Sequence, residues 1–249
     1  MFIDTHCHLD FDIFDQTRLS LLQDCQNNDI THFINPATSF DRWQKVIEIT
    51  QKHSNITPAL GLHPVFIEQH DKNHLDLLAD WLDTHSIKIV GEIGLDKRIA
   101  DFPKQQSFFQ AQLELAEQYK KPVIIHSVKS HNEIIQILKS IKFTQGGIIH
   151  AFNGNINTAK SYAHLGFKLG IGTLLHYPHS KIAKDISQFH IDWLVLESDA
   201  PDMPLPKKKN KINTPLSILQ TFMCLHAKLS LPKTYLAQKL YHNSLTLIS

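Results

Sequence analysis

Met1-Phe2-Ile3-Asp4-Thr5-His6-Cys7-His8 opens the chain with an apolar run that ends in two histidines. Its alternation reads as a β-strand, in which side chains change face at every residue. His6 and His8 therefore share one face at the strand's end, and Cys7 points the other way. Two imidazoles on one face, where a strand becomes a loop, can chelate one metal ion. In a chain with 17 histidines, a chance surface pair has the same spelling. The other strand ends decide between these readings.

Seven further apolar runs follow: Ile30–Ile34, Ile56–Leu62, Ile87–Ile93, Pro122–His126, Gly146–His150, Phe167–Gly172 and Ile191–Glu197. Helical spacing separates them, over about 15–28, from Thr38 or Ser39 onward, 72–84, 104–120, 130–140, 156–165 and 179–188. Two more helical segments, about 215–228 and 232–248, follow the last run. Continuous rather than alternating apolar runs mean strands covered on both faces, as in a parallel sheet. Eight strand–helix units in 249 residues point to an α/β fold, a closed (β/α)8 TIM barrel. Periodicity does not show closure, so an open doubly wound sheet shares this pattern. With no linker or composition break, residues 1–249 read as a single domain.

Hydrophobic content of 42% and charged content of 20% are ordinary for a globular protein. A formal net charge of +1 supplies no global field for gripping nucleic acid, so contact with a polyanion has to be local. Cys7, Cys25 and Cys224 are odd in number and widely spaced, which fits a reducing compartment and no disulfide framework. Asp4, Asp10, Asp12 and Asp15 interrupt any signal-like run, and no stretch is long enough to span a bilayer. A cytoplasmic location with no membrane partner is the expectation. Gly170-x-Gly172 lacks the third glycine of a dinucleotide fingerprint, and no phosphate-binding G-x-x-x-x-G-K-[ST] occurs.

In a barrel of this kind the active site lies at the C-terminal ends of the strands. Those ends carry His6 and His8, His63, Glu92, His126, His150 and Asp199. Chelating residues at the ends of strands one, four, five, six and eight would converge on one ring. Four imidazoles and two carboxylates are too many for one ion, since a catalytic zinc keeps about three protein ligands and an open position. Glu92 can bridge, giving a two-metal site roughly 3.5–4 Å across. Imidazole donors favour zinc, manganese, iron, cobalt or nickel, and a site held mainly by oxygens suits magnesium.

The motifs His6-Cys7-His8, Gly61-Leu62-His63-Pro64, Gly91-Glu92-Ile93-Gly94-Leu95-Asp96, His126-Ser127, His150-Ala151-Phe152-Asn153-Gly154 and Glu197-Ser198-Asp199-Ala200-Pro201 occur in one order. In these the chain resembles the TatD family of metal-dependent deoxyribonucleases, within the amidohydrolase-like barrels, over essentially its full length. The resemblance implies two divalent metal ions held by His6, His8, Glu92, His126, His150 and Asp199, with Glu92 shared. It also implies hydrolysis of phosphodiester bonds in DNA, often as an exonuclease. Where the family often has arginine soon after the fifth-strand histidine, this chain has Val128 and Lys129. Where Asn-Glu-Pro is common near the eighth loop, it has Asn213-Thr214-Pro215. Both departures bear on substrate contacts rather than on the ligands.

In the expected mechanism the two ions activate water and Asp199 takes its proton. His63 is assigned to substrate phosphate rather than metal, because its strand should lie away from the main cluster; capping a strand beside Pro64 is its structural alternative. Asn153 either donates to phosphate or closes a turn with Gly154. Lys207, Lys208, Lys209 and Lys211 form the only dense basic run, either contacting a DNA backbone or merely solvated. Phe152 and Cys7 are expected to be core residues. His131, His164, His176 and His179 are read as surface residues, and no serine or cysteine nucleophile with a base in reach is evident. The rival activity on the same scaffold is another amidohydrolase-type reaction, on a small-molecule amide or phosphoester.

Overall fold

The computed structural model describes residues 1–206 and 212–248. Eight parallel strands form one sheet in the order β1-β2-β3-β4-β5-β6-β7-β8. They are β1 (Phe2–Asp4), β2 (Ile30–Pro36), β3 (Ile56–Leu60), β4 (Ile89–Asp96), β5 (Val123–Val128), β6 (Gly147–Ile149), β7 (Phe167–Ile171) and β8 (Leu194–Leu196). Sequential neighbours joined by helical crossovers curl the sheet into a nearly closed (β/α)8 barrel. The β8/β1 seam is drawn together by Thr5 N and Thr5 Oγ1, which donate to Leu196 O at 3.0 and 2.9 Å. One turn higher, Asp199 N donates to His6 O at 2.9 Å. The seam thus fastens two candidate ligands to each other through the main chain.

The helices are α1 (Arg18–Asn27), α2 (Phe40–Lys52), α3 (Asn73–Thr84), α4 (Phe102–Gln118), α5 (His131–Ser140), α6 (Ile156–His164), α7 (Lys181–Asp185), α8 (Ser217–Leu229) and α9 (Lys233–Leu245). Residues 179–188, expected as one helix, contain only the short α7 followed by a 3-10 turn at Ile186–Gln188. Likewise the eighth run is largely not strand, because Ile191–Trp193 forms a 3-10 turn before the three residues of β8. No helix among the described residues is long and apolar enough to cross a membrane.

The apolar residues divide into two sets by strand parity. One large cluster, including Phe33, Val90, Ile93, Val123, Ile125, Trp43 and Phe109, lies where the strands meet the helices. A smaller one takes Ile34, Ala59, Ile89, Ile124, Ile148 and Val195, one from each of six strands, with Leu247 packed against them. These six form an inward layer of the barrel, below the C-terminal mouth. Because strand side chains repeat every second residue, each inward residue predicts what projects into the mouth above it. Two steps above Ile124 stands His126, two above Ile148 stands His150, and four above Val195 stands Asp199.

Candidate metal centre

Glu92 breaks that parity. Counting from the inward Ile89, residue 92 should face the helices. The pairing of β4 with β5 absorbs an extra residue, since Val90 and Ile93 lie opposite Val123 and Ile125. This bulge turns Glu92 inward, a common use of an irregular strand beside an active site. Gly94 sustains the close β4/β5 contact: its φ is +148°, and a Cβ there would collide with His126 O.

Glu92 is 2% exposed and stands at the centre of the mouth. Its Oε2 lies 3.2 Å from His6 Nε2 and 3.6 Å from His8 Nε2. Its Oε1 lies 3.1 Å from His126 Nδ1 and 3.2 Å from His63 Nε2. One carboxylate oxygen therefore faces each half of the cluster. Asp199 closes the ring, with Oδ1 3.5 Å from His6 Nε2 and 3.6 Å from His8 Nε2, and Oδ2 3.5 Å from His150 Nε2. All six sequence-predicted metal residues meet here. Three sets have their donor atoms mutually within 4.8 Å: His6, His8 and Glu92; His6, His150 and Asp199; His63, Glu92 and His126.

A further set of groups orients these rings. His8 Nδ1–H donates to Pro36 O at 2.9 Å, which leaves Nε2 as the atom turned to the centre. His126 Nε2 lies 3.2 Å from Asp96 Oδ2, and Asp96 is in turn paired with Arg98 Nη2 at 2.6 Å. His150 Nδ1 lies 3.1 Å from Glu197 Oε1, which also accepts from Ala151 N at 2.6 Å. Carboxylates and carbonyls behind imidazoles fix ring orientation and raise ligand basicity. Neither Asp96 nor Glu197 was assigned a role from sequence, although both sit in quoted motifs. Each lies an even number of residues from a candidate ligand, Glu92 or Asp199, and that spacing was the available signal.

The electrostatics fit a cation. Burial opposes charge on Glu92, but the imidazoles of His63, His6 and His150 hold it well below the usual carboxylate range. Asp199 is held low in the same way, with His150 foremost. Burial also disfavours charge on His8, yet Asp199 and Glu92 outweigh it and lift the ring to about 9. His150 is raised well above its ordinary value by Glu197, Asp199 and Glu92 against the same burial penalty. At His8 and His150 a field that keeps the proton on the ring favours any positive charge at the same nitrogens, whereas burial and the neighbouring His150 lower His6. The mixed nitrogen and carboxylate donor set suits a borderline divalent ion.

His63 lies inside this cluster, contrary to the expectation that its strand stands apart. Its ring centroid is 4.4 Å from that of His126, because β3 is the direct neighbour of β4. Its hydrogen bonds set the ring up to contact Glu92. Its Nδ1 accepts from Val65 N at 3.1 Å, so in the neutral ring Nε2 carries the proton and can donate to Glu92. Burial pushes His63 down to about 4, which favours that neutral form.

Beside His126, His150 and Asp199 the mouth opens into a cavity of about 680 Å³. His131 lines it and is half-buried rather than a surface residue. Its Nδ1 is 2.9 Å from Ser127 Oγ and 3.2 Å from Tyr162 OH, so a serine with an imidazole in reach does exist. The first turn of α5 folds back over the end of β5 and creates that contact. His176 is also half-buried, whereas His164 and His179 are exposed as expected. Phe152 and Cys7 are core residues, 1% and 0% exposed. Asn153 Oδ1 accepts from Lys181 N and Ile182 N at 2.8 and 3.2 Å, so its carbonyl anchors α7 rather than closing a turn with Gly154. Lys207 and Lys208, expected to meet DNA, lie outside the described residues.

Comparison with known proteins gives the family. The family model described as TatD related DNase matches residues 3–249. The uncharacterized metal-dependent hydrolase YjjV of Escherichia coli (strain K12) is 35% identical over 253 residues, 100% of this chain and 98% of that protein. An uncharacterized metal-dependent hydrolase of Haemophilus influenzae is 33% identical over 271 residues, 100% of this chain and 99% of that one. The crystal structure of YjjV, described as a TatD homolog, superposes with a TM-score of 0.94 at 34% identity, covering 99% of this chain and 97% of the other.

Proposed function

This chain belongs to the TatD family of metal-dependent hydrolases, and from that membership we propose that it is a deoxyribonuclease cutting phosphodiester bonds from a DNA end. Two divalent ions would be held by His6, His8, Glu92, His126, His150 and Asp199, with Glu92 shared. When bound, such ions supply Lewis acidity and lower the pKa of water towards neutrality. The observation that carries this reading is the division of Glu92, whose Oε2 faces His6 and whose Oε1 faces His126.

The chain's own groups have separable tasks. Asp199 stays ionised beside His150 and His6, so it can orient the attacking water and accept its proton. His63 steadies Glu92 through Nε2. Asp96 holds His126 in place, and Glu197 stands beside His150 as a buried counter-charge. The adjoining cavity lies within the usual size range for small-ligand sites.

The test is hydrolysis of 5′- and 3′-end-labelled single- and double-stranded oligonucleotides with magnesium, manganese, zinc or cobalt, with a chelator control and Asp199→Asn. Stepwise, chelator-sensitive shortening that the variant lacks is the expected result. Failure on every oligonucleotide, with turnover of a cyclic amide, would assign the centre to amide hydrolysis instead.

A further inference from the structure

The cations around the barrel mouth are unevenly compensated. On the β1–β2 side of the mouth, the cations are already compensated. Arg42 Nη1 and Lys45 Nζ both meet Asp12 Oδ1 at 2.7 Å, and Lys45 also reaches Asp15. In the connection after β4, Arg98 lines the cavity and is neutralised by Asp96. Lys129 and Lys181 line the same cavity, and neither has a carboxylate within ion-pair distance among the described residues. The rest of this wall includes the apolar Leu174, Met203 and Val128.

The backbone holds both lysines at that wall. Lys129 follows β5 directly with φ at +55°, a left-handed turn that ends the strand within three residues of His126. Lys181 is the first residue of α7, and its amide is tied to Asn153 Oδ1, three residues after His150. Lys129 thus stands three residues from one candidate ligand, and the backbone of Lys181 is bonded to a residue three beyond another. The charge of Lys181 is felt inside the cavity: with burial as the larger cause, it depresses the His131 imidazole to about 4.

We propose that Lys129 and Lys181 form a subsite for a second phosphate of the substrate, one nucleotide away from the phosphodiester at the metal centre. This rests on the phosphodiesterase reading above and specifies its substrate as a strand with a phosphate flanking the scissile one. Two uncompensated ammonium groups over an apolar wall suit a nucleotide, with its sugar and base against Leu174 and Met203 and its phosphate at the lysines. A neutral cyclic amide would leave both charges unused.

The experiment compares the dinucleotides TpT, pTpT and TpTp, which share one phosphodiester and differ in a terminal phosphate. With metal-loaded protein, pTpT or TpTp should show a KM about tenfold below that of TpT, the scale of one charge-assisted contact. In a Lys129→Gln/Lys181→Gln variant that ratio should fall to near one, and Lys129→Arg/Lys181→Arg should restore it. Both side chains are on the surface, and a melting curve confirms the fold. As a readout independent of turnover, calorimetry should show thymidine 3′,5′-bisphosphate binding about tenfold tighter than thymidine 5′-monophosphate, with the gap lost in the Gln variant. Equal KM values, or a preference that survives loss of both lysines, overturn the subsite while leaving phosphodiester hydrolysis intact. Lysine-dependent bisphosphate binding without cleavage of any dinucleotide overturns the hydrolysis reading and supports the subsite.

Discussion

His6 Nε2 and His8 Nε2 face each other across 3.2 Å. The Nδ1–H of His8 is committed to Pro36 O, so its Nε2 has no other task than to hold a proton or a cation. Two converging nitrogens, with Glu92 and Asp199 oxygens no more than 3.6 Å from each, form a donor set able to hold a metal ion.

Removing metal should therefore cost both activity and stability. Dialysis against a chelator is expected to abolish hydrolysis and lower Tm, and readdition should restore both, since a ligand that binds only the folded state stabilises it. His8→Ala should reduce the metal bound per chain, as measured by elemental analysis. A chelator-treated protein with unchanged turnover would refute the metal requirement.

Glu92→Gln keeps the shape of the side chain and removes its charge from the centre of the cluster. Because both carboxylate oxygens face histidine nitrogens, the variant should lose affinity at both halves of the centre rather than one. Titration with cobalt, followed by its ligand-field absorption, counts the sites. Two intact sites in Glu92→Gln would show that Glu92 does not bridge.

Asp96→Asn tests the support behind a candidate ligand. The Asp96 carboxylate lies 3.2 Å from His126 Nε2 and is the group that orients that ring. Metal affinity should fall about 10- to 100-fold, the usual cost of losing such a partner. Competition with a chromogenic chelator measures it. An affinity equal to wild type would mean that His126 is oriented by the backbone alone.

Gly170 makes room for Glu197, and a Cβ there would collide with its carboxylate. Gly170→Ala should push Glu197 off His150 and cost about 1–3 kcal/mol in urea unfolding, the range for overpacking a filled site. Unchanged stability together with unchanged metal affinity would show that Glu197 has slack.

His70 supplies a pH dependence away from the ligands. It is buried, donates through Nε2 to His63 O at 3.0 Å, and is pushed by burial from 6.5 to about 4. The unfolded chain thus binds this proton first, so stability is present in full above pH 6.5 and declines as pH falls towards 4. Melting curves between pH 7.5 and 4.5 should show a steeper decline for wild type than for His70→Gln. Parallel curves would mean that the ring titrates normally.

Much of this molecule was legible in its residues because strand geometry is local. The eight apolar runs marked the strands, and the two-residue repeat placed His126 above Ile124 and His150 above Ile148 without knowledge of any long-range contact. The candidate ligand set followed once all strand ends were assumed to meet on one ring. What a local pattern does not carry is a shift in pairing between strands. The bulge that turns Glu92 inward exists only in the register of β4 against β5. The same holds for His63, whose distance from the centre depends on β3 standing next to β4, and for His131, brought to Ser127 when α5 folds over β5. Sequence alone therefore determined a parallel α/β class and which side chains are available for chemistry, because backbone periodicity and donor type reside in each segment; the curling of the sheet into a barrel is a property of the tertiary structure. The tertiary structure decided which nitrogen of each ring faces the centre and which charges are left uncompensated beside it, because those depend on groups far apart in the chain.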